Sequence, residues 1–143
     1  MYIEAIQDPS DAQSLLTAAN LPVADILANS RLSLFGIRKD CGLVATAGIE
    51  HLSSQLGLLR SVVVKPQFRG HGFATQLVAY CEQLAKKNGM KSLYLLTNTA
   101  SPFFSKQGYL HVPRAEVPAE ISSTAQFSSL CPSSASLMRK ELQ

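Results

Sequence analysis

Leu58-Leu59-Arg60-Ser61-Val62-Val63-Val64-Lys65-Pro66-Gln67-Phe68-Arg69-Gly70-His71-Gly72-Phe73-Ala74-Thr75 is the stretch that decides the fold. Its run Val62-Val63-Val64 suits a strand buried on both faces. The strand passes into a basic loop with two glycines, residues 65–72, and then into a helix over residues 73–88. Glycines let successive backbone N–H groups converge on one point, and a helix start adds partial positive charge. Such a loop can cradle a pyrophosphate, with Arg69 adding a formal charge beside it. It is not a Walker loop, because no Gly-Lys-Ser/Thr follows. Nor is it the dinucleotide fingerprint: the third glycine of Gly-x-Gly-x-x-Gly is missing, and an antiparallel meander comes first.

Working outward, residues 2–6 read as a strand. Pro9-Ser10-Asp11 starts a helix carrying Ala12, Leu15, Leu16 and Ala19 on one face. A second, shorter helix is expected over residues 22–28, with proline in its first turn. A hairpin follows, its strands beginning at Leu32 and Leu43 about the turn Lys39-Asp40-Cys41-Gly42. The central strand covers residues 56–64. The helix over 73–88 places Phe73, Leu77, Tyr80 and Leu84 on one stripe, with Gly89 as its stop. Residues 92–96 form the next strand, 101–106 a short helix, and Tyr109 opens a further β segment. A helix over 124–130 and a strand over 135–142 close the chain. The order describes an α/β protein of the α+β kind, a mixed sheet with antiparallel strands first.

The chain has 143 residues, 46% hydrophobic and 16% charged, a size and balance expected of one domain over residues 1–143. No apolar run approaches the roughly 18 residues of a membrane span. The start, MYIEAIQDPSD, lacks a basic segment followed by an apolar one, so a cytoplasmic protein without membrane partners is expected. The net charge is +3, unevenly spread. Between Arg60 and Lys91 six basic residues face only Glu82, a local +5, while the remainder is −2. That window implies an anionic partner. Cys41, Cys81 and Cys131, like His51, His71 and His111, are scattered and form no metal motif, so no metal is expected.

Three pieces of this sequence resemble the GNAT superfamily of acyl-CoA N-acyltransferases. Arg69-Gly70-His71-Gly72-Phe73-Ala74 matches its Arg/Gln-x-x-Gly-x-Gly/Ala signature between strand and helix. Val64-Lys65-Pro66 matches the strand-end Val-x-Pro, and Phe104-Ser105-Lys106-Gln107-Gly108-Tyr109 the downstream Phe-x-x-x-Gly-aromatic block. The resemblance implies the acyltransferase fold, a mostly antiparallel sheet splayed between its fourth and fifth strands and flanked by helices. It also implies acetyl-CoA as acyl donor and a small-molecule amine as acceptor, attacked directly in a ternary complex. In such proteins the loop and first helical turn, here Arg69, Gly70, His71, Gly72, Phe73, Ala74 and Thr75, bind the CoA pyrophosphate. The backbone of Val62, Val63 and Val64 would pair with the pantetheine arm, and an amide near Val62 or Val63 would polarise the thioester carbonyl. Lys106, with Lys65 second, would approach the ribose phosphate.

The match departs from the family in two places. Many members carry a tyrosine that protonates the CoA thiolate where this chain has Phe104, which is expected to pack against the cofactor arm instead. Water, Thr97, Thr99 or Tyr94 would then assist, or the thiolate would leave unprotonated. Where some members place a glutamate base, this chain has Leu58. Glu50 is the nearest carboxylate and the candidate general base, with His51 second; its other reading is an exposed carboxylate at a hairpin end. Arg60, taken to alternate to the same side as Val62, is the candidate anchor for a substrate carboxylate; its other reading is a surface ion pair. Thr97 and Thr99 join it as substrate residues.

Leu95-Leu96-Thr97-Asn98-Thr99-Ala100 resembles the strand-to-helix passage of amino-acid acetyltransferases of the N-acetylglutamate synthase type. The C-terminal stretch around Phe127 to Ala135 resembles small bacterial arsenic-resistance N-acetyltransferases. Both imply a small primary amine bearing a carboxylate. A module of this fold that holds acyl-CoA without turnover is the alternative. Nucleic acid is not expected as a partner, since only Phe68 and Phe73 interleave aromatics with the basic loop. Open strand edges leave room for a homodimer.

Overall fold

A computed structural model describes residues 2–19, 21, 31–40, 42–124, 127 and 135–142. The helix expected over residues 22–28 lies outside the described residues, as do Cys41, Cys131 and nearly all of the helix expected over 124–130. Chain order is β1 (Ile3–Ala5), α1 (Ser10–Ala18), β2 (Leu32–Lys39), β3 (Gly42–His51), β4 (Leu56–Val64), α2 (Phe73–Lys87) and β5 (Ser92–Thr97). It continues through α3 (Ser101–Lys106), β6 (Leu110–His111), α4 (Ala119–Ser122) and β7 (Ser136–Glu141). The strands form one sheet in the order β1-β2-β3-β4-β5-β7-β6. Every neighbouring pair is antiparallel except β4 and β5, which run parallel. That is the α/β mixed sheet expected from the sequence.

The parallel pair is short. Only Leu56↔Ser92, Gly57↔Leu93 and Leu58↔Tyr94 are in register, although β4 continues for six more residues and β5 for three. Beyond Leu58 the strands diverge, and the expected splay is present. β5 meanwhile stays paired to β7 along its whole length, from Ser92↔Glu141 to Thr97↔Ser136. The opening is therefore a wedge within an otherwise continuous sheet.

One face of the sheet packs on α2, whose buried residues are Phe73, Leu77, Val78, Cys81 and Ala85. These meet Phe35, Ile37, Ile49, Leu59, Leu93 and Leu95. The expected stripe is corrected here. Tyr80 is 38% exposed, with its ring edge-on to Phe35 at 5.1 Å, and Leu84 is only partly buried. The i, i+4 row 73-77-81-85 faces the sheet because its small members, Cys81 and Ala85, allow close approach. The opposite face carries two separate apolar clusters. Leu34, Leu43 and Val63 pack with Leu15 and Leu16 of α1, while Leu58, Tyr94, Leu96 and Leu137 pack under Ile121 of α4.

The α2 layer buries two acidic groups. Burial pushes the Cys81 thiol up to about 12, and the charge of Glu82 adds to the rise. Burial, followed by the same carboxylate, also raises the Tyr109 hydroxyl well above the ordinary phenol value. Both groups hold their protons more tightly folded than unfolded. Their contribution is complete below the unfolded thiol value of 9.0 and is lost as pH rises above it. Urea midpoints should thus be level to about pH 9 and then fall by about 1 kcal/mol of stability per pH unit. Cys81→Ala should flatten that alkaline slope; an identical slope in the variant would contradict the assignment.

Candidate functional site

Three features of the chain meet at the wedge: a distorted strand, a loop of unpaired amides and a buried ion pair. β4 pairs with β3 through Ala45↔Val64 and Thr46↔Val63, but Gly48 pairs with Arg60, so one extra residue is accommodated on β4. The bulge is at Ser61, whose φ of +60° makes it the only non-glycine residue of positive φ among the described residues. For an L-residue that conformation costs about 1–2 kcal/mol. The buried Thr46 hydroxyl braces it by donating to the Ser61 carbonyl at 2.7 Å. A bulge reverses the alternation of side chains downstream. Leu59 and Arg60 obey the upstream phase; Val63 and Val64 obey the shifted one.

That reversal corrects one expectation. Val62 packs against the α2-side core, whereas Arg60 lies on the opposite face with Glu50, so the two do not share a side. The Arg60 Nη1 donates to Glu50 Oε1 at 3.0 Å, with the two side chains only 1% and 8% exposed. Glu50 is thus neither an exposed hairpin-end carboxylate nor half of a surface pair. By register the pair lies between the Leu58 cluster and the Val63 cluster, a charged break in an apolar face. His51, the second candidate base, alternates to the other face and contacts the Ser33 hydroxyl at 3.2 Å.

At the mouth of the wedge the Lys65 amide donates to the Val44 carbonyl at 2.8 Å. Alternation therefore turns the main-chain groups of Val64 and Val62 away from β3, toward the open side. There the Val64 carbonyl accepts from Arg69 Nε at 3.2 Å. Arg69 therefore braces the strand end as well as carrying charge. A short 3-10 turn, Pro66–Phe68, leads into Gly70 and Gly72, with φ of +84° and +79°. A side chain at either position would be strained although space is open, so these glycines serve backbone shape. Gly72 caps α2 without a side-chain bond, and the first helical bond runs from Gln76 to Gly72. The amides of Phe73, Ala74 and Thr75 therefore lack intrahelical acceptors and face the loop with the positive end of the helix.

Sequence reasoning missed two contributors. Lys39, at the end of β2, sets its Nζ 5.5 Å from the centroid of the Phe73 ring, bringing a cation to the helix start from outside the basic window. Thr46 supports the bulge from the neighbouring strand. Neither has a local signal, because each acts across the sheet. A groove of about 300 Å³ runs beside the loop, between Leu15 and Ala18 of α1, with the following Ala19, and Val63, Lys65 and Arg69. Its floor is apolar and its rim cationic.

The remaining candidates are dispersed. The Thr97 hydroxyl accepts from the Ala100 amide at 3.0 Å, bracing the turn that precedes α3; Thr99 is exposed at the same end of β5. Phe104 is buried, with edge contacts to Phe103 and Tyr109, while Lys106 on the same helix is exposed. Phe104 thereby belongs to the core and presents no hydroxyl.

A model of the acetyltransferase (GNAT) family matches residues 3–109. An amino-acid acetyltransferase of Mycobacterium tuberculosis is 32% identical over 81 residues, 56% of this chain and 46% of that protein, so the chain matches less than half of that relative's length. The Mycobacterium tuberculosis protein Rv2747, solved in complex with CoA and NLQ, superposes over all of both chains with a TM-score of 0.79 at 18% identity. The N-acetylglutamate synthase of Neisseria gonorrhoeae, solved with coenzyme A and N-acetyl-glutamate, superposes with a TM-score of 0.76 at 17% identity. That match covers the whole of this chain and 36% of the synthase. At these identities the structures show the shared fold.

The buried pair supplies its own test. Removing one partner strands the other charge in a dry site, which costs about 3–5 kcal/mol, whereas replacing both with apolar groups costs far less. Glu50→Gln and Arg60→Met should each lower the urea midpoint strongly, and the double variant should be more stable than the sum of the two losses. Additive losses in that double-mutant cycle would mean that the ion pair is not formed in solution.

Proposed function

We propose, on the premise that this chain belongs to the acetyltransferase (GNAT) family, that residues 1–143 form one domain that transfers an acetyl group from acetyl-CoA to a small, amino-acid-like primary amine. The single observation carrying the reading is the wedge: a parallel strand pair that opens after three residues beside a loop of unpaired amides. Acetyl-CoA supplies an activated acyl thioester. The amides of residues 70–75, the α2 dipole and the charges of Arg69 and Lys39 suit its pyrophosphate. The main-chain groups of Val62 and Val64 suit the amides of its pantetheine arm, as a strand added between β4 and β5. The Val62 amide, turned to the open side beside the bulge, polarises the thioester carbonyl. Lys106 remains the exposed cation for the ribose phosphate.

The acceptor class follows from the buried pair. An amino acid carries a carboxylate and an ammonium group, the electrostatic complement of Arg60 and Glu50. Arg60, held in place by Glu50, anchors the carboxylate; Glu50 takes the ammonium proton directly or through one water, freeing the nitrogen for attack. Thr99, exposed at the end of β5, would contact substrate, with Thr97 beside it at the start of the passage to α3. The name of the 32% identical relative, an amino-acid acetyltransferase, supports this class. So does the N-acetyl-glutamate bound to the structurally similar synthase.

Incubation with acetyl-CoA and a panel of amines, following free CoA thiol, tests the proposal. Amine-dependent release is expected, faster for amino acids than for their decarboxylated counterparts by about tenfold or more, since a charged hydrogen bond is worth about 1.5–3 kcal/mol. Saturable CoA binding with no release for any amine would replace this reading with a non-catalytic acyl-CoA-binding module. Equal rates with and without the carboxylate would remove Arg60 as its anchor.

A further inference from the structure

Ser61 is a residue of the wedge to which the proposed reaction gives no side-chain role. Its side chain is almost wholly buried, with the residue 7% exposed, and its hydroxyl has no hydrogen-bond partner. A buried hydroxyl left unpaired costs about 1–3 kcal/mol, and native structures rarely tolerate that without a reason. Ser61 also holds the unfavourable φ of +60°, a position where glycine would be free of strain. The residue is costly twice over, through its backbone and through its hydroxyl. Thr46 compensates the carbonyl but not the side chain.

Its position points to the missing partner. β4 and β5 are joined up to Leu58↔Tyr94, so Ser61 is three residues from the closed apex of the wedge. The anion-binding loop begins at the far end of β4. Three residues of strand, Ser61 to Val64, span about 10 Å. A chain anchored by its phosphates at residues 70–75 and running inward along Val64 and Val62 therefore brings its reacting end abreast of Ser61. The group leaving there is a thiolate, and the aromatic of α3 nearest in sequence role, Phe104, has no hydroxyl to offer it.

We infer that the Ser61 hydroxyl donates a hydrogen bond to the sulfur of the acyl donor, stabilising the thiolate as it departs. The inference rests on the acyl-transfer reading above. In the step the amine nitrogen forms its bond to the acyl carbon, the carbon–sulfur bond breaks, and its electron pair leaves on sulfur. Glu50 having already taken the ammonium proton, the second proton that the nitrogen loses as the amide forms passes to water. Ser61 keeps its own proton and shares it with the sulfur. The main-chain amide of Val62 serves the carbonyl oxygen, so the two ends of the breaking thioester have separate donors.

The positive φ furnishes a clean variant. Ser61→Gly removes the hydroxyl and relieves the backbone, so it should fold with a midpoint at least equal to that of the parent; Ser61→Ala removes the hydroxyl but keeps the strain. The first measurement needs no turnover: the ultraviolet absorbance of bound CoA thiolate is followed against pH. In both variants the thiol of bound CoA should titrate about one unit higher than in the parent, with CoA affinity at neutral pH little changed. The second is kcat for acetyl transfer, expected to fall about tenfold to a hundredfold with the acetyl-CoA dissociation constant preserved. An unmoved thiol titration in Ser61→Gly overturns the inference, as does an undiminished kcat. A shifted titration in a protein that never releases thiol sustains the contact and defeats only the acyl-transfer reading. No CoA binding by the parent overturns both.

Discussion

The divergence of β4 from β5 after Leu58 is the constraint on which the rest of the molecule depends. A sheet interior is closed because each strand's polar backbone is satisfied by its neighbours, and an unpaired buried backbone costs as much as a lost hydrogen bond. This chain leaves that debt unsettled along one side of β4 while β3 holds the other side in register. β5 remains anchored to β7, so neither strand is free to close the gap. The extra residue at Ser61 then turns the strand locally, and Thr46 holds the turn. The result is an unpaired strand edge inside a sheet rather than at its border, where it can bind an extended ligand without inviting another copy of the chain.

Charge is arranged around that wedge at two depths. At the mouth the amides of the first turn of α2, Arg69 and Lys39 make a solvent-facing positive surface suited to phosphate. Deeper in, Arg60 and Glu50 form a dry, neutral pair between two apolar clusters. The two differ in their electrostatics. Exposed cations attract a multiply charged ligand from a distance and are screened by salt. A buried pair is screened far less by salt, and its two partners hold each other in a fixed geometry.

Much of this arrangement is legible in the residues. Residues 56–64 are readable as one strand because the turn Ser53-Ser54-Gln55 and the loop from Lys65 bound an apolar run with β-branched residues at its end. The loop is readable because glycine at positive φ and a helix start have local chemistry. The failures share one cause. On α2 a 3.6-residue period admits neighbouring rows, and only the sheet's shape selects Cys81 and Ala85 over Tyr80 and Leu84 to follow Phe73 and Leu77. Arg60 and Val62 do not share a side because a bulge that no residue in Leu59 to Val62 announces interrupts the alternation between them. Glu50 read as exposed because a strand end looks like a surface; the apolar clusters on its face bury it.

The sequence by itself determined the order of the seven strands, the glycine loop that opens α2 and the family, though not the short helix α4, since each depends on contacts between residues close in the chain or on spacing that survives without a structure. Only the tertiary structure decided where the site's side chains meet: Arg60 with Glu50, Thr46 with Ser61, Lys39 with Phe73. Each of those pairs crosses between elements, and a shift of one residue in register would exchange one face for the other. The +3 net charge illustrates the same division. Its concentration along residues 60–91 is visible in the chain, but Arg60 turns out to be neutralised in the interior and Lys39 to have joined the surface from outside, because burial and pairing are properties of space rather than of order along the chain.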